Sequence, residues 1–290
     1  MEEKEEEIVV MEYVCRHCGS TFYTASNKKI EVCAICESTS FDINNRKISG
    51  NLSIIPFRKT IAAAQRDYNR KTMWNPLIPF SFKGKKRVKS IQKVFLPALL
   101  VNASQKGQFV FSGEDHENSK RTVEVKKYDV YENVRVDYQG VLLNSSTKIN
   151  ERKFISLCDY DCKQVRDFNP SDIKEASYLL GDVYIEEAGE KGRKKISKNT
   201  LMLAQNEVRH SYSKLKEDNT VIEFSDSKQV LLPVYLLSVS YKDKIYQYMM
   251  NGENGKSHFS LPVAFFPTFL FFLLLFGILF SIGYFIIQYL

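Results

Sequence analysis

The sequence has few of the residue patterns that mark catalytic sites. Its four histidines are scattered, and none lies in an HExxH motif or beside a triad-like partner. Residues 251–257 end like a phosphate-binding loop, but Met250 stands where that motif needs its first glycine. We interpret this segment as a β-turn. Because the sequence offers no nucleophile–base pair and no open metal site, it predicts a protein that is not an enzyme.

Charge is absent from the C-terminal end of the sequence. Residues 261–290 contain no charged side chain, and residues 268–290 are rich in phenylalanine and leucine. As a helix, residues 268–290 would extend about 34 Å at about 1.5 Å per residue, and a bilayer hydrocarbon core is about 30 Å thick. A helix in a soluble core rarely stays apolar on every face. We therefore predict that residues 261–290 form a single transmembrane anchor.

The first residues lack the basic and apolar regions of a secretory signal. Lys242, Lys244 and Lys256 precede the apolar segment, and no lysine or arginine follows it. The positive-inside rule places such lysines in the cytoplasm. The sequence therefore predicts a tail-anchored, single-pass protein of the cell (cytoplasmic) membrane, with its N-terminus in the cytoplasm.

Cysteines are few, but four of the six are paired in the sequence. They form two Cys-x-x-Cys pairs, Cys15 with Cys18 and Cys33 with Cys36. A cytoplasmic compartment keeps thiols reduced, so this pattern favours metal ligation over a disulfide or a redox site. Four thiolates complete a tetrahedral shell around one Zn²⁺ and leave no open position for catalysis. We predict one structural zinc ion in a zinc ribbon.

The residues near the cysteines refine this prediction. Gly19 follows the first pair, where a small residue lets backbone N–H groups turn toward sulfur. Glu37 takes the matching place after the second pair, which predicts a less regular turn there. His17 is interpreted as an outward-facing bystander. Between the pairs, two lysines and two aromatic residues are too few for a nucleic-acid face, so we favour a protein contact. Cys158 and Cys162 are interpreted as reduced, partly buried thiols.

The chain is predicted to have an α+β fold, with a mixed antiparallel sheet and helices between the ribbon and the anchor. Helices are expected at 58–72, near 170 and at 198–216, and a tight hairpin is expected at Lys242-Asp243. Strands are expected at 91–101, 107–112, 122–130, 134–143, 220–224, 228–241 and 244–250. The predicted segments are an acidic disordered tail (1–10), the zinc ribbon (11–45), a linker (46–55), a cytoplasmic α+β domain (56–260) and the transmembrane anchor (261–290).

A basic cluster lies within residues 83–93, without an intervening acidic residue. It is either a solvated loop or a contact with anionic lipid headgroups, which attract each basic residue by about 1 kcal/mol. Nucleic acid is a rival ligand. We favour the membrane surface. The cluster consists of Lys83, Lys85, Lys86, Arg87, Lys89 and Lys93.

A series of short motifs follows the cysteines along the chain: 54–57 (Ile-Ile-Pro-Phe), 74–76 (Trp-Asn-Pro), 94–97 (Val-Phe-Leu-Pro), 230–235, Tyr246, 251–252, 255–256 and 261–262. This order resembles a bacterial family of membrane-anchored proteins with a TFIIB-type zinc ribbon. The resemblance covers nearly the whole chain and implies a membrane-stress or membrane-organising platform, because some relatives are encoded beside phage-shock protein A-like and flotillin-like (SPFH) proteins. Relatives are sometimes labelled as similar to a replication-restart helicase, but this chain has no Walker A sequence.

Two hypotheses of function follow from these observations. The first is a non-enzymatic adaptor or scaffold, anchored in the lipid bilayer, whose ribbon binds a membrane-associated protein of the phage-shock or SPFH type. The second is a membrane-tethered nucleic-acid-binding protein, such as a transcriptional sensor. The second predicts binding to DNA that weakens steeply with salt.

Overall fold

The computed structural model describes residues 8–25, 28–48, 52–79, 82–83, 91–118, 123–208, 212–262 and 265–289. Strands and helices both occur throughout these residues, so the α+β prediction is confirmed. The strands are β1 (Ile8–Cys15), β2 (Thr21–Thr24), β3 (Phe41–Ile48), β4 (Ser53–Ile54), β5 (Gln92–Asn118), β6 (Val123–Asn144), β7 (Arg166–Asp167), β8 (Ser177–Tyr178), β9 (Tyr212–Tyr241), β10 (Lys244–Asn251) and β11 (Ser257–Phe259). The α-helices are α1 (Ile61–Met73), α2 (Glu151–Leu157), α3 (Ile185–Glu207) and α4 (Phe265–Tyr289).

The strands form one sheet in the order β11-β10-β9-β5-β8-β2-β1-β3, and β6 pairs with β5. The strands β1, β2 and β3, between which the cysteine pairs lie, are therefore part of the main sheet, joined to it where Tyr23 of β2 pairs with Tyr178 of β8. These two rings stack with centroids 5.4 Å apart. The predicted hairpin at Lys242-Asp243 is confirmed, and both residues have the positive φ values that a tight hairpin turn requires.

The chain divides into two compact units. Unit 1 contains Met1–Leu96, Lys148–Leu180 and Leu231–Leu290, and unit 2 contains Pro97–Thr147 and Gly181–Val230. The sequence predicts a single domain at 56–260, and the structure differs because unit 2 is inserted twice into the sequence of unit 1. Two of the four boundaries fall inside β5 and β9, where the sequence pattern of a strand does not change.

An aromatic cluster forms much of the core of unit 1. Tyr68 of α1 packs edge-on against Tyr248 of β10, and Phe82 packs against Tyr241. The helix α1 begins after Thr60, whose side chain accepts a hydrogen bond from the backbone N–H of Ala63. This helix confirms the prediction at 58–72.

A polar network joins α1 to β11 in unit 1. The Ser257 hydroxyl hydrogen-bonds the Asp67 carboxylate, and the Lys71 Nζ donates to Ser257 Oγ at 2.8 Å and to its carbonyl oxygen at 3.1 Å. Tyr248 also donates to Asp67, at 3.2 Å. The network therefore fastens the short strand that precedes α4 in the sequence. We call it the Asp67 network.

Unit 2 packs α3 on the sheet formed by its parts of β5, β6 and β9. Gly189 and Gly192 let the helix approach closely, because a Cβ added to Gly192 would lie 2.8 Å from a Leu143 methyl group. Phe224 lies against both glycines. The predicted helix at 198–216 is thus partly wrong, because α3 begins at Ile185 and residues 212–216 belong to β9.

Two other predictions differ from the structure. The predicted helix near 170 is a short 3₁₀ turn, Pro170–Ile173, capped by Asn169 and followed by β8. The predicted linker at 46–55 includes the end of β3 and all of β4, and Ile54 is fully buried. Residues 8–10 of the predicted acidic tail belong to β1, whereas residues 1–7 lie outside the described residues.

Candidate metal centre

The four predicted ligands come together. The Sγ atoms of Cys15, Cys18, Cys33 and Cys36 all lie within 4.8 Å of one another. Cys15 Sγ is 3.5 Å from Cys36 Sγ, and Cys18 Sγ is 3.7 Å from Cys33 Sγ. These thiols are free rather than paired in disulfides. The cluster can hold a metal ion with one ligand atom from each residue.

The two turns that carry the cysteines have the same backbone hydrogen bonds. In the first cysteine turn (residues 15–20), Gly19 N–H donates to Cys15 O and Cys15 N–H donates to Ser20 O. In the second cysteine turn (residues 33–38), Glu37 donates to Cys33 O and Cys33 donates to Ser38 O. The φ angles of Gly19 and Glu37 are 66° and 62°. The expectation that Glu37 makes the second turn less regular is therefore wrong.

The thiols differ in their electrostatic surroundings. Burial raises the pKa of Cys33 well above its usual range and raises the pKa of Cys36 to about 11. Burial also acts on Cys15, but backbone N–H groups of Cys18 and His17 outweigh it and lower the Cys15 pKa to about 7. Four thiolates this close together require a compensating cation, which a divalent metal ion provides.

The second cysteine turn is docked on the β9–β10 hairpin of unit 1. Ser238 Oγ donates to the carbonyl oxygens of Ala34 and Ile35, and Gln247 Nε2 donates to Ile35 O at 3.0 Å. The Ser240 backbone N–H donates to the Glu37 carboxylate at 3.0 Å. Glu37 therefore supplies a hydrogen bond that glycine, the usual residue at positive φ, cannot supply.

The first cysteine turn is more open to solvent. Arg16 and His17 are exposed, which fits the interpretation of His17 as a bystander. Arg16 Nε donates to the exposed Asp42 carboxylate at 2.8 Å. Lys148 Nζ donates to Cys18 O at 3.3 Å. The turn also closes the β1–β2 hairpin, where Val14 pairs with Thr21, and the Arg16 backbone N–H donates to Ser40 O at 3.1 Å.

The docking residues Ser238, Ser240 and Gln247 are not recognisable from the sequence alone. They lie in strands whose pattern indicates only a hairpin, and a single serine or glutamine carries no signal of a distant partner. Glu37 was the only sequence clue, because a glutamate at a position that favours glycine needs a compensating contact.

The basic cluster lies mostly outside the described residues, which include Lys83 and Lys93 but not Lys85, Lys86, Arg87 or Lys89. Lys83 Nζ donates to Met73 O at 3.4 Å. Lys93 Nζ forms an ion pair with Glu175 at 2.6 Å. Neither contact tests the prediction of headgroup binding.

The helix α4 contains a stretch, Thr268–Gln288, that is long and apolar enough to cross a membrane. No residue of that stretch is buried against the rest of the described chain. Large apolar side chains such as Phe276 and Ile287 are therefore exposed, at 69% and 81%. A soluble helix of this composition would be packed into a core.

The described residues thus define an α+β chain with a candidate four-cysteine metal centre and an apolar C-terminal helix. The chain is similar to a curated protein of Bacillus subtilis (strain 168) named "Uncharacterized protein YdjG", with 22% identity over 238 residues. The match covers 75% of this chain and 66% of the relative, so it spans less than two thirds of the relative's length. No protein-family model and no solved structure matches the chain.

Proposed function

We propose that the chain is a non-enzymatic adaptor, anchored by α4 at the cytoplasmic face of a bacterial membrane. The observation that carries this proposal is the uncovered apolar surface of Thr268–Gln288. In water that surface would be costly, because each Å² of exposed apolar area costs about 25 cal/mol. In a bilayer the cost disappears, and the rest of the chain is held at the membrane surface.

The metal of this adaptor is structural zinc. A tetrahedral site with Zn–S bonds of about 2.3 Å has S–S edges of about 3.8 Å. The pairs at 3.5 and 3.7 Å are close to this value. Zinc fastens the two cysteine turns to each other and supplies no catalytic position, since all four positions are taken by sulfur. We expect about one zinc per chain by elemental analysis and its loss in Cys15→Ser.

The orientation follows from charge. Lys242 lies in the β9–β10 hairpin turn, Lys244 begins β10 and Lys256 precedes β11, so basic residues lie on the N-terminal side of α4. Under the positive-inside rule this side faces the cytoplasm. There, reducing conditions preserve the thiols for metal binding.

The partner is proposed from the resemblance described above, to membrane-anchored proteins encoded beside phage-shock protein A-like and SPFH proteins. The first cysteine turn offers the exposed side chains of Arg16 and His17 for such a contact. Crosslinking in native membranes, followed by affinity purification, should recover a membrane-associated protein. Recovery of nucleic acid instead would favour the tethered DNA-binding hypothesis.

Localisation tests the anchor directly. Full-length protein should sediment with membranes and resist extraction by carbonate, whereas a chain ending at residue 260 should be soluble. Protease added to sealed inside-out vesicles should digest the cysteine turns, and protease added to right-side-out vesicles should spare them. Digestion in right-side-out vesicles, or full-length protein in the soluble fraction, would overturn the proposal.

A further inference from the structure

A cavity of about 540 Å³ lies in unit 1 beside the loop that connects the two cysteine turns. Its walls come from residues 28–32 of that loop, from Ile61 at the start of α1, from residues 91–93 at the start of β5 and from Glu175 and Ser177. The volume falls in the range of about 300–1,000 Å³ that small-molecule sites occupy. We call it the lysine cleft.

Positive charge is in excess in the lysine cleft. Three ammonium groups, those of Lys28, Lys29 and Lys93, face two carboxylates, those of Glu31 and Glu175. Lys28 Nζ donates to the backbone oxygen of Glu175 at 2.6 Å, and Lys93 Nζ contacts its carboxylate at 2.6 Å. Both lysines therefore contact Glu175. Lys93 contacts its charged carboxylate, whereas Lys28 contacts its uncharged backbone oxygen.

The electrostatics of Lys28 are consistent with this excess. Burial, the largest cause, and the charge of Lys93 together lower the pKa of Lys28 to about 8, and Glu175 only partly compensates. The ammonium form of Lys28 is thus insufficiently stabilised by its surroundings. An anion placed between the two lysines would stabilise it.

The cleft also has apolar walls. Ile30 and Ile91 are buried, whereas Ile61 is 40% exposed beside the charged groups. A ligand that carries an apolar part next to its charge would cover Ile61 and gain from removing that surface from water.

We propose that the lysine cleft binds a phosphate monoester with a small apolar or glycerol part. A monoester carries a charge of about −1.5 to −2 at neutral pH, which matches two converging ammonium groups, and lysine binds phosphate as a point charge. The same chemistry occurs in a soluble ester such as glycerol phosphate and in the lipid phosphatidate.

The test uses full-length protein in nanodiscs of phosphatidylcholine. Titration calorimetry with glycerol 3-phosphate should show saturable binding. Lys28→Met and Lys93→Met should each raise the dissociation constant about tenfold, as expected for loss of a charged hydrogen bond. Lys163→Met, an exposed lysine of the same unit, is the matched control and should leave the constant unchanged.

A variant with the opposite expected effect guards against a folding artefact. Glu175→Gln removes the carboxylate that competes for Lys93, so it should tighten binding several-fold. A destabilised protein would instead bind more weakly.

Nanodiscs that contain phosphatidate distinguish the two sources of the ester. If phosphatidate competes with glycerol 3-phosphate, and only when Lys28 is present, the lipid is a ligand of the cleft. If it does not compete, the ligand is soluble. The absence of binding by both esters, or an equal loss in Lys28→Met and Lys163→Met, would overturn the proposal.

Discussion

The two cysteine turns have the same backbone hydrogen bonds but different surroundings. The first is exposed around Arg16 and His17 and has a glycine at its positive φ angle. The second is docked on the β9–β10 hairpin through Ser238 and Gln247, and it has Glu37 at the equivalent angle. We therefore expect these two turns, which share their local geometry, to depend on a bound metal to different degrees.

The largest expected effect comes from removing the metal with a chelator. Structural zinc contributes on the order of 10 kcal/mol to the folding of small zinc modules. Both turns should then loosen, and the more exposed first turn should loosen more, because the second keeps its bonds to the β9–β10 hairpin. Hydrogen exchange on full-length protein in detergent should show a greater loss of protection at Gly19 than at Glu37. Equal loss at both amides would refute the comparison, and Cys15→Ser should reproduce the effect.

The next effect concerns the docking of the second turn. Ser238→Ala removes the hydroxyl that bonds Ala34 O and Ile35 O, and it should destabilise unit 1 by about 1–2 kcal/mol. Thermal melting followed by near-ultraviolet circular dichroism measures this. Ser40→Ala, at an exposed serine next to the second turn, is the control and should melt like the original protein. A Ser238 variant with unchanged melting would show that the docking contributes little.

A smaller effect is expected at the two positive φ positions. Gly19→Ala should destabilise the protein by about 1 kcal/mol, because a side chain disfavours this backbone conformation. Glu37→Gly should be close to neutral, since relief of that strain is offset by loss of the bond from Ser240 N–H. The same melting experiment compares the two variants. Clear stabilisation by Glu37→Gly would mean that the hydrogen bond from the Ser240 N–H to Glu37 contributes nothing to stability.

The smallest effect is expected at the surface of the first turn. Arg16→Ala removes the ion pair with Asp42, in which both side chains are more than half exposed. Such pairs contribute little and are screened by salt. The melting temperature should be unchanged at low and at high salt. A large fall in the melting temperature of Arg16→Ala, seen only at low salt, would show that this ion pair holds the first turn in place.

The sequence was sufficient to predict the four-cysteine cluster, because the spacing within each pair is local and the chemistry of paired cysteines is specific. The apolar helix was equally predictable, since a long uncharged segment has few soluble alternatives. The α+β class, α1 and the β9–β10 hairpin followed from capping, periodicity and turn residues. Each of these features depends on residues close together in the chain.

The features that were not predictable depend on distant contacts. The start of α3 was missed because Gly189 and Gly192 disfavour helix in isolation, and only contact with Leu143 and Phe224 explains them. The strand β5 was predicted as two strands, at 91–101 and 107–112. The structure shows one continuous strand that contains Gly107. A Cβ there would lie 2.4 Å from Asn219 O, so glycine marks a close approach rather than a break.

The Asp67 network has a mechanical consequence for an anchored protein. Any force transmitted along the chain from α4 reaches β11 first, and Ser257 of that strand is held by both Asp67 and Lys71 of α1. Load therefore passes into a helix that is packed in the core of unit 1, instead of peeling a three-residue strand from the edge of the sheet. Tension from a moving or bending membrane would be borne by the folded core.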